Sequence, residues 1–224
     1  MLPRILPFII YMSFVGVEEL LHFLTEKGIM NITSEQMLYL YPLKITLVIL
    51  SLVWFRRSYH ELDISDLKKG SATLLSMITG LIVFALWINM DWGFATFGDP
   101  KGYDPVSIAD SRARFFMIST RLIGAALVVP IMEEIFWRSF VVRYIINPDF
   151  QKVMIGVFTP TAFVISVVLF GLEHNYFLAG MMAGAAYNFI LHRSKSIAQC
   201  ILSHSVTNLA LGIYVLCTGS WQFW

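Results

Sequence analysis

Three short motifs place ionisable groups inside apolar runs: PIMEEIFWRSF at residues 130–140, FGLEHN at 170–175 and SHSVTN at 203–208. On a helix, residues four apart share a face, which pairs Glu134 with Arg138, Phe170 with His174, and His204 with Asn208. Glu134 and Arg138, with the acid first, form an ion pair that would hold helices in register. Glu133 is turned about 100° from Glu134, and its own i+4 neighbour, Trp137, supplies no countercharge. A carboxylate without a local partner inside a membrane span marks a functional candidate; the plain alternative is a protonated or snorkelling side chain.

If the three faces converge, one chamber holds a glutamate, two histidines and an asparagine. Such a set can hydrolyse an amide. A carboxylate beside a histidine in a low-dielectric pocket can take a proton from water near neutrality. An imidazole N–H and an asparagine amide suit the negative oxygen of a tetrahedral intermediate. No serine, threonine or cysteine nucleophile is required, and helical geometry turns Ser203 and Ser205 away from the face of His204. A lone intramembrane histidine is otherwise more often a helix–helix hydrogen-bond donor. Glu133, His174 and His204 would also suffice as three zinc ligands with an open water position. However, the H-E-x-x-H pattern on one helix is absent, and only Glu173 offers the histidines an evident outer partner.

The elements that must position these groups follow from composition. Of 224 residues, 57% are apolar and only 14% charged, against roughly 25% charged in soluble domains. Apolar runs of about 20 residues, enough to cross a bilayer, recur along the chain. The expected fold is all-α: a polytopic transmembrane helix bundle of about seven spans, with eight the upper count. The spans are Ile5–Leu24, Met37–Phe55, Ala72–Met90, Phe115 to about Ile146, Val157–Gly171, Phe177–Leu191 and Ile197–Cys217. The whole chain, 1–224, reads as one integral membrane domain whose motif-bearing part is 115–217.

The fourth span is too long for one straight crossing, and Pro130 interrupts it just before the glutamates; the carbonyl it frees must find water or a side chain. Convergence of His174 with Glu133 needs the fifth span to start late, near Pro160, or to tilt. Asp91–Arg114, rich in Gly, Pro and Asp, reads as an exposed loop. The start, MLPRILPFIIYMSF, reads as a retained first span, because Glu18 and Glu19 stand where a signal-peptide cleavage pattern would follow. Nine Lys and Arg on one set of connections against four on the other favour a cytoplasmic N-terminus. A net charge of +1 gives no field for nucleic acid. Cys200 and Cys217 lie about 25 Å apart along one helix, too far for a disulfide.

Other groups carry plainer readings. Glu18, Glu19 and His22 form either a solvated helix end or a substrate-gating auxiliary acid. Lys44 snorkels or pairs with a carboxylate. Gly180 and Gly184 allow close helix contact.

In order and spacing, E-E-x-x-x-R at Glu133–Arg138, F-x-x-x-H at Phe170–His174 and H-x-x-x-N at His204–Asn208 resemble the CPBP family of intramembrane proteases. That family includes the CAAX prenyl proteases and bacteriocin-processing enzymes. The resemblance spans roughly Phe115 to Cys217. It implies that Glu133, with His174, activates the attacking water, that His204 and Asn208 form the oxyanion hole, and that Glu134, Arg138 and Phe170 support them. It also implies a glutamate mechanism without metal or cofactor, and a peptide or protein substrate at the bilayer. Ser139 departs from the glycine that often follows the arginine. The wording EEIFWRSF and the ending TGSWQFW are closest to bacterial proteins of exosortase-type sorting systems, which implies a bacterial inner membrane. The competing classes are a proton- or ion-coupled transporter, with Glu133, Arg121 and the histidines along an ion path, and a non-catalytic immunity or scaffold relative. No inverted repeat supports the first, and the full motif set weighs against the second.

Overall fold

The computed structural model describes residues 1–98 and 102–224. Its helices are α1 (Leu2–Glu26), α2 (Ser34–Trp54), α3 (Gly70–Trp87), α4 (Ser111–Ile146), α5 (Pro160–Leu172), α6 (Phe177–Ser194) and α7 (Ile197–Thr218). Helices α1 to α4 and α7 are long and apolar enough to cross a membrane. Their outward faces carry Leu, Ile, Val, Phe and Trp, with Trp54 81% exposed, which is sensible only where lipid is the solvent.

Local chemistry sets the helix boundaries. Asp110 caps α4 by accepting from the Ala113 N–H at 2.7 Å. Thr159 caps α5 by accepting from Ala162, with Pro160 at the first helical position, where its missing N–H costs nothing. This late start is the one that brings His174 level with α4. Ser196 caps α7, and Gly219, at φ 72°, ends it in the left-handed conformation that glycine adopts freely.

α4 runs 36 residues without a break, so the interruption expected at Pro130 is a change of pitch. The backbone widens into π turns at Gly124–Val128 and again at Ile135–Val141, with Glu133 and Glu134 on the short α-helical piece between them. In a π pattern the carbonyl that would pair with the N–H missing from Pro130 is that of Ala125. The Asn208 side-chain amide donates to that oxygen at 2.9 Å. The proline thus creates the acceptor that fixes Asn208.

Small residues set the packing distances. A Cβ at Gly80 on α3 would lie 2.4 Å from the Ser203 carbonyl on α7, and Thr207 donates to the Gly80 carbonyl across the same contact. On the other side, α5 and α6 close through Gly171, Gly180 and Gly184.

The segment between α3 and α4 is not exposed throughout. Ala95, Tyr103 and Ile108 are buried, and the Phe97 N–H donates to the Asn175 carbonyl at 2.8 Å. It therefore folds over the end of the bundle that carries His174. Lys101, counted among the outer cations, lies outside the described residues.

The opposite end holds a separate polar network. Arg4 pairs with Glu61 at 2.6 Å and donates to Ser139 Oγ at 3.1 Å, and Ser139 also hydrogen-bonds the Glu61 carboxylate. The hydroxyl thus ties α4 to α1 and to the α2–α3 connection, a use that glycine at this position lacks. Burial pushes the Glu61 carboxyl up, but the hydrogen bonds from Arg4 and Ser139 outweigh it and hold it below the usual carboxylate range.

Candidate active site

The three motifs meet in one cavity of about 180 Å³, lined by Glu133, His174, His204 and Asn208 together with Arg121 and Tyr187. A second, larger cavity of about 390 Å³ shares Glu133, His174 and Arg121 and continues past Glu18 and Glu19. The chamber therefore opens at the end of the bundle where α1 finishes and α4 begins, away from the N-terminus.

Each side chain is held by something specific. Glu133 is 6% exposed, and its Oε2 has no partner. A buried carboxylate oxygen left without a donor is costly and marks a place where a ligand or water completes the set. Glu134 is fully buried. Its Oε1 accepts from Arg138 Nη1 at 3.2 Å and lies 3.0 Å from His204 Nδ1. Arg138 continues to the Gly184 carbonyl at 3.2 Å and lies over the Phe170 ring at 4.5 Å. The two adjacent glutamates thus do different things: one is tied into a cross-helix network, the other faces the cavity.

The histidines are oriented by the atoms that hold Nδ1. His174 Nδ1 donates to the Phe170 carbonyl at 2.8 Å, which leaves the Nε2 lone pair as an acceptor while the ring is neutral. His204 donates Nδ1–H to Glu134 and stacks on Tyr187 at 4.7 Å, so its Nε2 donates only when the ring is an imidazolium. Asn208 uses one amide hydrogen on Ala125 and keeps the second. Phe170 is the shared packing surface, within 5.0 Å of His174 and 6.2 Å of His204, centroid to centroid.

Glu173 was legible only as a neighbour of His174. In the structure its carboxylate, the Glu133 carboxylate and the His174 ring each offer an atom within 4.8 Å of one another. Trp137 Nε1 donates to both Glu173 oxygens, at 3.0 and 3.2 Å. The helical rotation that would send consecutive residues apart does not apply, because α5 ends at Leu172. Among the described residues this is the group with metal-ligand spacing, so the zinc alternative, if assembled, would use Glu173 in place of His204. At such a separation one bridging water, about 2.8 Å from each partner, also fits.

Glu18 supplies the carboxylate expected for Lys44. Both its oxygens lie 3.0 Å from the buried Lys44 Nζ, making a cross-helix ion pair between α1 and α2.

Gly180 sets the position of His174: a Cβ there would lie 2.9 Å from the Gly171 Cα and 3.2 Å from His174 Nδ1. Gly180→Ala is therefore expected to displace the imidazole. Turnover should fall about tenfold or more, because misplacement of about 1 Å can cost 10²-fold. Helical content would be retained. Side-by-side rate and circular-dichroism measurements check this; unchanged turnover would show that the ring position is not critical.

Residues 115–210 match the family model described as Type II CAAX prenyl endopeptidase Rce1-like. The likeness is to membrane-embedded proteases, and the helices independently make this chain a multi-pass membrane protein. All seven residues of the three motifs fall within the matched range. No curated protein and no solved structure gives a significant match.

Proposed function

We propose that this chain is an intramembrane endopeptidase in which Glu133 activates water against a peptide carbonyl. The observation that carries the reading is the buried, unpartnered Oε2 of Glu133, a cavity-lining residue whose carboxylate lies within 4.8 Å of the His174 ring. A water between them would lose a proton to Glu133 as its oxygen attacks the scissile carbon. The resulting oxyanion would take hydrogen bonds from the His204 imidazolium and the spare amide hydrogen of Asn208. Glu134 orients the His204 ring, and Arg138 holds Glu134 in place. Collapse of the intermediate breaks the C–N bond, and the proton held by Glu133 passes to the leaving amine.

The expected substrate is a peptide or protein segment at the membrane surface, reaching the chamber from the end opposite the N-terminus. With the cytoplasmic N-terminus favoured by the cation distribution, that end faces outward from a bacterial inner membrane. An exosortase-type sorting system would place such a substrate there.

Turnover of a membrane-associated peptide by the purified chain is expected to persist in excess chelator. Loss on chelation with recovery on adding zinc would replace the metal-free reading with a site built on Glu133, Glu173 and His174. A substrate-dependent ion flux in proteoliposomes, with no hydrolysis, would favour a transporter instead.

A further inference from the structure

Two cations flank one tyrosine ring in the vestibule: Lys44 Nζ lies 5.3 Å and the Arg121 guanidinium 4.4 Å from the Tyr41 centroid. Only one carboxylate serves them. Glu18 binds Lys44 with both oxygens. Arg121 is left with neutral tyrosines: Tyr41, which it meets through the ring face and a side-chain hydrogen bond, and, at 5.1 Å, the Tyr103 ring. Its Nε is buried without an acceptor, and no carboxylate among the described residues pairs with it, although Glu19, Glu133 and Glu173 line the same cavity. Ring faces do not replace a counterion for a guanidinium removed from bulk water. Arg121 therefore lacks an ion-pair partner of its own in the cavity that leads to Glu133. A planar, forked donor suits a carboxylate, which it can bind through two parallel hydrogen bonds.

We propose that Arg121 is a substrate-binding subsite that takes a carboxylate of the peptide, either its C-terminal group or an acidic side chain, and so sets where the chain is cut. Arg121 and Glu133 lie on the same helix, and twelve residues at 1.5 Å each separate their backbones by about 18 Å. An extended peptide covers 3.3–3.6 Å per residue, so the bound carboxylate falls within about five residues of the scissile bond. The subsite deepens the protease reading and rests on it for its meaning, but its ligand chemistry can be measured separately.

The test uses the full chain in neutral detergent and three probes: a dodecanoyl, fluorescein-labelled hexa-alanine peptide as free acid, as C-terminal amide, and as amide with one internal aspartate. Fluorescence anisotropy should show at least tenfold tighter binding of the free acid or the aspartate peptide than of the plain amide. Which of the two binds identifies the source of the carboxylate. The preference should vanish in Arg121→Gln and return in part in Arg121→Lys. Equal binding of all three probes by the unmodified chain overturns the proposal whatever the variants do. So does a preference that persists in a folded Arg121→Gln, or one abolished by added phosphatidylglycerol at a concentration that leaves amide binding unchanged. Carboxylate-selective binding without Glu133-dependent cleavage would leave the subsite standing and remove the protease reading.

Discussion

Glu133→Gln is expected to lower turnover at least about 10³-fold while the bundle stays folded. A positioned general base contributes about 10²–10⁴, and here the same carboxylate both orients the water and carries its proton to the leaving group. The amide that replaces it is isosteric and neutral, so it cannot accept that proton. Stability should be kept or raised, because the substitution removes a carboxylate whose Oε2 is buried without a donor. Initial rates on purified protein, with thermal unfolding of the same samples, read the two effects separately. Normal turnover in Glu133→Gln would make the base assignment wrong, and would shift attention to Glu173, the other carboxylate within reach of His174.

Much of this arrangement was legible from the chain because helical spacing is short-range. The i, i+4 pairings Glu134–Arg138 and Phe170–His174 appear as direct contacts. His204 and Asn208 share a face but diverge in their partners. One reaches the Glu134 carboxylate and the other the Ala125 carbonyl, and neither partner can be read from α7 alone. The role of Pro130 was half visible: proline must free a carbonyl, but only the π turn decides which. Glu173 was missed because a periodic reading assumes that the helix continues through it. A carboxylate partner for Lys44 was expected, but its identity was hidden for a similar reason. Glu18 and Lys44 are 26 residues apart on different helices, beyond the reach of local spacing. The Arg4–Glu61–Ser139 network joins three elements and leaves no pattern in any one of them.

The second large effect concerns what holds the chamber rather than what reacts in it. Arg138→Ala should destabilise the protein by about 3–5 kcal/mol, the usual cost of leaving one partner of a buried pair alone. The Glu134 carboxylate is fully buried and would keep only His204, while the link from α4 to the Gly184 carbonyl on α6 would be lost. Removing the charge on both sides tells a different story: Glu134→Gln with Arg138→Met leaves no orphaned ion and should recover most of the stability. It should not recover activity, because His204 loses the carboxylate that orients its ring. SDS titration of helical content on the single and double variants, with rates on whichever remain folded, separates anchoring from chemistry. If Arg138→Ala unfolded at the same SDS concentration as the unmodified chain, the Glu134–Arg138 pair would contribute nothing to the fold.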